Sequence, residues 1–212
     1  MGLFDTQPHP YPGRLITFCG LDGCGKTTML TWLTEYLENQ GDSVYLTKQP
    51  TAFVRQSAIF RTFMDSPHHY AYDYRSLSLL AASDRIQHCS RVIVPELKKG
   101  RLVISDRYFY SCLANLRARG YTEDRWIYEV ADFVPKPDLA LFIDVEVNEA
   151  VRRVRSREEE KDAYIDMALQ YRLREEYLDI AHMTGGVVLS GEQPLEEEKN
   201  ALLQLVNEVM QP

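Results

Sequence analysis

An α/β fold in three layers (α/β/α), with a five-stranded parallel sheet between its helices, is what this sequence predicts. Three observations lead there. Five short apolar runs are separated by segments of helical period. A glycine-rich turn follows the first run directly, and two later runs each end on an acid, Asp106 and Asp144, where a strand would stop. Strands that alternate with helices need crossover connections, and crossovers of one hand set parallel strands side by side with both faces covered.

The first run, residues 15–19, ends at Gly20. The next twenty or so residues carry Met29, Leu30, Leu33 and Leu37 at helical spacing, and Gly41 stops that helix. Residues 43–47 are the second β-prone run, before Pro50. Apolar positions between 72 and 93, including Leu77, Leu80, Ala81 and Ile86, describe a long buried helix with a bend or break near Pro95. Residues 102–105, 139–143 and 187–189 are the remaining strands. Helical patterns occupy 108–117, 123–133, 148–157, 163–182 and 195–209, and Trp32 and Trp126 read as packing residues.

At 212 residues and 45% hydrophobic content the chain can bury a full core. The expectation is one domain over residues 14–212 behind a flexible tail, 1–13, that carries Pro8, Pro10 and Pro12. A net charge of −7 argues against a nucleic-acid partner, because binding a polyanion requires many Lys and Arg to displace its counterions. A small phosphorylated ligand needs only a local cluster of cations. Cys19, Cys24, Cys89 and Cys112 show no paired CxxC spacing, so neither a zinc site nor a redox pair is indicated. With no apolar run near the roughly 18 residues of a membrane span and no signal-peptide core, a soluble cytoplasmic protein without a membrane partner is expected. Met1-Gly2-Leu3-Phe4-Asp5-Thr6 formally fits an N-myristoylation pattern, but so short and degenerate a match arises readily by accident.

Gly20-Leu21-Asp22-Gly23-Cys24-Gly25-Lys26-Thr27, continued by Thr28, matches the P-loop pattern G-x-x-x-x-G-K-[ST] between a strand and a helix. A triphosphate concentrates negative charge in a small volume. Backbone N–H groups pointed inward by a glycine-rich turn, together with the positive end of a helix, suit it. Lys26 would reach the outer phosphates and the Thr27 hydroxyl would ligate Mg²⁺, giving a P-loop NTPase fold with ATP and Mg²⁺ as cofactors. Without its context the same run would be a helix N-cap with chance glycines. Cys24 reads as a tolerated small side chain rather than a redox centre. A second acid should organise the metal's water shell, and Asp106 is preferred to Asp144 because Arg107 beside it would serve the same phosphates. Either acid has the alternative of capping the helix that follows.

Four segments together resemble one family. Gly20 to Thr28, Ser83-Asp84-Arg85-Ile86-Gln87-His88, Asp106-Arg107-Tyr108 with Ser111, and Pro137-Asp138-Leu139 running to Ile143-Asp144-Val145 have the order and spacing of bacterial thymidylate kinases. The resemblance spans most of residues 14–209. It implies that Asp22 meets the sugar 3′-hydroxyl, that Arg107 grips the acceptor phosphate, and that Arg85 faces the base, with the phosphate as its further contact. Ser111 would join that acceptor side. It also implies a homodimer, and a short helical lid at about 152–163 led by Val151-Arg152-Arg153-Val154-Arg155-Ser156-Arg157. Because Gly23 stands where some relatives have an arginine, the lid would supply the catalytic cation. Arg153 and Arg157, four apart, would share one helical face. The same run read plainly is a solvated helix face paired with Glu158, Glu159 and Glu160.

Departures from the family pattern fall on the acceptor side. Lys48-Gln49-Pro50 replaces Arg-x-Pro, which keeps the charge and loses bidentate geometry. Ala81 stands where a thymine-stacking Phe is usual, and Asn115 where an aromatic is common. Ring stacking worth about 1 kcal/mol or more per ring is lost at each. Tyr108, Phe109 or Tyr110 would either rebuild a platform or enter the core. The expected activity is transfer of the ATP terminal phosphoryl group to a deoxynucleoside 5′-monophosphate, dTMP first. The alternatives are the same chemistry on a modified or non-thymine nucleotide or another small phosphorylated acceptor, and a nucleotide-binding regulator without transfer. Intact Lys26, Thr27, Asp106 and Arg107 argue against the last.

Overall fold

The computed structural model describes residues 8–65, 71–162 and 164–211. Five strands, β1 Arg14–Cys19, β2 Val44–Lys48, β3 Leu102–Asp106, β4 Leu139–Asp144 and β5 Val187–Ser190, form one sheet in the order β2-β3-β1-β4-β5. Every pairing is parallel. β3 is buried along its whole length and β1 nearly so, which explains why both read as continuous apolar runs rather than alternating ones. β2 and β5 lie at the edges and alternate between more and less exposed positions.

Register matters more than strand number for the site. Phe18 and Lys48 both pair with Asp106, from opposite sides of β3. The C-terminal ends of β1, β2 and β3 are therefore level, and whatever follows each of them faces the same crevice. Such a crevice at the carboxyl ends of parallel strands is where open α/β sheets bind ligands.

Helices flank the sheet. α1 (Lys26–Asn39) packs with α10 (Leu195–Met210), while α6 (Phe109–Ala118) packs on α9 (Met167–Thr184) and on α4 (Tyr74–His88). Two short helices, α2 (Ala52–Arg55) and α3 (Ala58–Asp65), occupy a stretch for which no element is expected from the sequence. The long helix expected to break near Pro95 does so earlier. α4 passes at Cys89 into a π-helical turn, Cys89–Ile93, and continues as α5 (Val94–Lys98). Pro95 has no N–H to return to the preceding turn, so the ladder loosens ahead of it. α7 (Trp126–Ala131) is shorter than its pattern, and α8 (Val147–Arg155) ends two residues early. α9 starts at Met167, where the Asp166 carboxylate caps the Leu169 N–H at 3.0 Å.

Part of the expected tail is held in place. Pro8 bridges to Lys136, the His9 ring bonds Asp138 at 2.9 Å, and that carboxylate also accepts the Leu15 N–H at 2.7 Å. Residues 8–13 thus lie against the entrance to β1 and β4 instead of hanging free. The acylation pattern lies outside the described residues. Trp32 and Trp126 pack against the core as expected, and Tyr108, Phe109 and Tyr110 are all buried in it. They build no exposed stacking platform.

Candidate active site

The glycine loop joins β1 to α1, and its backbone is one that only glycine adopts comfortably. Gly23 has φ +85°, and a Cβ there would stand 2.1 Å from the Ala150 carbonyl oxygen, so the loop is packed directly on α8. Gly25, at φ +99°, caps α1; a Cβ there would meet nothing within 4 Å, which marks the open side of the loop. Lys26 is buried at 6% exposure, and its Nζ donates to the carbonyls of Gly20 (3.1 Å) and Leu21 (2.6 Å). Cys24 is fully buried with its Sγ 3.5 Å from that ammonium, whereas Thr27 and Thr28 are exposed.

Arg107 reaches across to this loop from the end of β3. Nη1 donates to the Gly20 carbonyl at 3.2 Å and to the Tyr177 hydroxyl at 3.0 Å, and Nη2 to Asp22 Oδ1 at 2.5 Å. The guanidinium beside it holds the Asp22 carboxyl well below the usual carboxylate range, helped by Lys26. Burial pushes the Tyr177 hydroxyl up to about 12. Tyr177 therefore keeps its proton and donates it to Ser111 Oγ at 3.1 Å while accepting from Arg107. Arg107 itself has φ +65°, the one non-glycine with positive φ among the described residues. Its N–H donates to the Phe18 carbonyl at 2.8 Å, and its carbonyl accepts from Ser105 Oγ at 2.7 Å. The neighbours thus hold a conformation that costs on the order of 1–3 kcal/mol.

The two strand-end acids separate clearly. Asp144 is gripped by Arg174, whose Nε and Nη2 lie 2.7 and 2.9 Å from its two oxygens while Nη1 reaches Glu146 at 2.5 Å. Asp106 instead faces the crevice and pairs with Lys48 at 2.7 Å. Their strands place these two side chains at one register position, so they leave the sheet on the same face.

On the acceptor side, Arg85 is buried and donates to the carbonyls of Ala81 (3.0 Å) and Tyr108 (3.4 Å). Ala81 is buried one turn before it on α4, and Ser111 is buried on the facing α6. Asn115 is already committed: its Nδ2 donates to the Ser111 carbonyl at 2.9 Å and its Oδ1 accepts from Arg119 at 2.8 Å. Arg119 in turn lies 4.0 Å over the Tyr74 ring.

The lid arginines differ from expectation. α8 ends at Arg155, so Arg157 is extended (φ −85°, ψ 127°), off the helical face it was to share with Arg153. Arg157 pairs with Glu160 at 3.0 Å. Arg153 donates to Glu149 at 2.6 Å and to the Gly191 carbonyl at 2.9 Å. A Cβ on Gly191 would stand 2.6 Å from the Cys24 carbonyl, so Arg153 braces the loop that backs the glycine turn. Sequence reasoning missed Tyr177, Gly191 and Arg174. Tyr177 lies 66 residues from Ser111 and 70 from Arg107, and no local pattern announces such a contact. Gly191, directly after the fifth apolar run, carried a signal that was available.

The chain fits Mg²⁺ and a nucleotide triphosphate. The glycine turn has open space beside Gly25, its positive φ values at Gly20, Gly23 and Gly25 suit a backbone-lined cradle, and Thr27 and Asp106 carry hard oxygen atoms. Among the described residues no group of three or more His, Cys, Asp and Glu is placed to hold a metal ion. Among the same residues no helix is long and apolar enough to cross a membrane.

The profile of the family described as thymidylate kinase matches residues 18–202. A probable thymidylate kinase of Pyrococcus abyssi is 38% identical over 176 residues, which is 81% of this chain and 84% of that one. One from Thermococcus kodakarensis is 34% identical over 197 residues, 90% of this chain and 96% of its own. A thymidylate kinase from a Geobacillus species is 33% identical over 194 residues, covering 87% and 91% respectively.

Proposed function

Since this chain belongs to the thymidylate kinase family, we propose that it transfers the terminal phosphoryl group of ATP to dTMP, giving dTDP and ADP. The observation that carries this reading is Arg107, which bonds Gly20 and Asp22 of the glycine turn from the strand beside it, with Arg85 and Lys48 on its far side. A cation in that position lies between two phosphate sites, and bringing two anions together is the main obstacle in this reaction. An oxygen of the acceptor 5′-phosphate attacks the γ-phosphorus, and the bond to the β–γ bridging oxygen breaks as ADP leaves. The acceptor oxygen is already anionic, so no side chain has to remove a proton.

In this reading the main-chain amides of 20–28 and Lys26 hold the triphosphate, and Asp22 turns to the acceptor sugar. Thr27 and Asp106 hold Mg²⁺, which when bound neutralises charge on the transferred group. Arg107, Lys48, Arg85, Ala81, Ser111 and Asn115 form the acceptor side. Segment 152–163 acts as a lid, with Arg153 and Arg157 reaching the transferred phosphoryl group on closure. The enzyme works as a homodimer in the cytoplasm, with small nucleotides and no nucleic acid or membrane as its partners.

A coupled ADP-release assay over a panel of nucleoside monophosphates tests the activity, with dTMP expected to be the best acceptor. Lys26→Ala should lower kcat by about a thousandfold or more while the protein stays folded. No turnover by folded wild type on any monophosphate would refute the reading. A second reading keeps the chemistry and changes the base. It is favoured by Ala81, which offers no ring, and by the Arg119 bond that fixes the Asn115 amide. A better acceptor than dTMP on the same panel would select it.

A further inference from the structure

Three cations of the acceptor side come from three different elements: Lys48 from the end of β2, Arg85 from α4 and Arg107 from the turn after β3. Their spacing must match one phosphate and one nucleoside, yet β2 is an edge strand with solvent beyond it. One helix ties all three together. Asp84 on α4 accepts the Thr51 N–H at 2.7 Å and the Thr51 hydroxyl as well. One turn later, His88 bonds Thr47 Oγ1 through Nε2 at 2.9 Å and Gln49 Nε2 through Nδ1 at 3.0 Å. Lys48 lies between those two anchored residues. Thr47 directs its side chain toward α4, so the alternation of a strand sends Lys48 to the opposite face, onto Asp106.

The next residue extends the connection. Cys89 Sγ lies 3.6 Å from the Gln49 amide and 3.5 Å from the Tyr108 hydroxyl, which donates to the Pro135 carbonyl at 2.7 Å. The Tyr108 carbonyl accepts from Arg85. With the Gln49 amide nitrogen directed at His88 Nδ1, that ring nitrogen accepts and Nε2 donates to Thr47. Burial lowers the His88 pKa, with Asp84 opposing and Arg85 assisting. Gln49 has no exposed surface, and its Oε1 is buried without a partner.

We propose that His88, with Gln49 as its partner, is a positioning residue for the acceptor phosphate: it fixes residues 47–49 so that Lys48 is held at a set distance from Arg85 and Arg107. This inference rests on the reading of the cleft as a monophosphate kinase site. Initial rates with dTMP and ATP varied separately test it, for wild type, His88→Ala, His88→Gln and Thr47→Val, each alone and combined with Lys48→Met. His88→Ala should lower kcat/KM for dTMP about tenfold and leave KM for ATP within about twofold. His88→Gln, which keeps a donor for Thr47, should recover part of the loss. In the Lys48→Met background the same change should cost less than about twofold, because the residue it positions is gone.

An equal cost in both backgrounds, or a parallel rise in KM for ATP, would overturn the inference. Should His88→Ala fail to fold, Thr47→Val removes one hydroxyl while keeping the β-branched shape, and it gives the same comparison. If wild type prefers another monophosphate, the dTMP assignment fails and the cycle is run on that acceptor. If wild type accepts no monophosphate, both readings fall together.

Discussion

At the scale of single residues, the positions that matter most are ones whose chemistry is visible in the sequence but whose partners are not. Lys26, Arg107 and Asp106 are recognisable from the segments that contain them. Nothing in those segments says that Arg107 adopts a left-handed conformation, that Tyr177 holds it, or that Lys48 meets Asp106. Gly191 is a clear case of a residue defined by its neighbours. Its missing side chain makes room for the Cys24 carbonyl and for two side chains from the β4 end, Ile143 and Val145, all within 3 Å of where a Cβ would be. Gly191→Ala should therefore push the glycine turn out of shape. The expected result is a rise of about tenfold or more in KM for ATP with a much smaller change for dTMP, measured by initial rates, since overpacking at a backbone contact forces the neighbours to move.

Among elements, the strands were legible because burial on both faces demands uninterrupted apolar runs. Apart from α2 and α3, for which no element is expected from the sequence, the helices were legible in place but less so in length. α8 shows the reason: its arginines suggested a helix to residue 157, but Arg152 and Arg153 both turn back onto Glu149, and the chain leaves the helix after Arg155. Whether a charge run stays helical depends on what each charge pairs with, and that is decided by packing. The same holds at the C-terminal end of β4. Asp144 is the competing acid in sequence, second to Asp106, and Arg174 on α9 takes both of its oxygens together with one of Glu146. This pair fastens α9 to the end of β4. Arg174→Gln should cost about 1–3 kcal/mol of stability, because the partly buried Asp144 carboxylate loses its two-pronged partner and the exposed Glu146 loses a weaker one. Urea unfolding should show it, with the KM values for both substrates little changed.

On the scale of the whole molecule, one sheet carries both halves of the proposed site: the glycine turn after β1, and the cations proposed for the acceptor after β2 and β3 and on α4. Binding at either half should stabilise the same folded state. At about 100 times its Kd, a non-hydrolysable ATP analogue or dTMP alone should add about 2.7 kcal/mol, roughly 5–10 °C in Tm for a chain of this size. Together they should exceed the larger single shift; a mixture no better than one ligand would mean that the two compete for one site. The sequence by itself determined the order of strands and helices, the glycine turn and the family's charged segments, because these depend on the period of apolar residues and on side chains within a few positions of one another. Only the tertiary structure decided which acid faces the crevice, which arginine braces the loop and what holds Lys48 in line. Each of those outcomes is a competition between a charge and partners tens of residues away, and such distances close only when the chain folds.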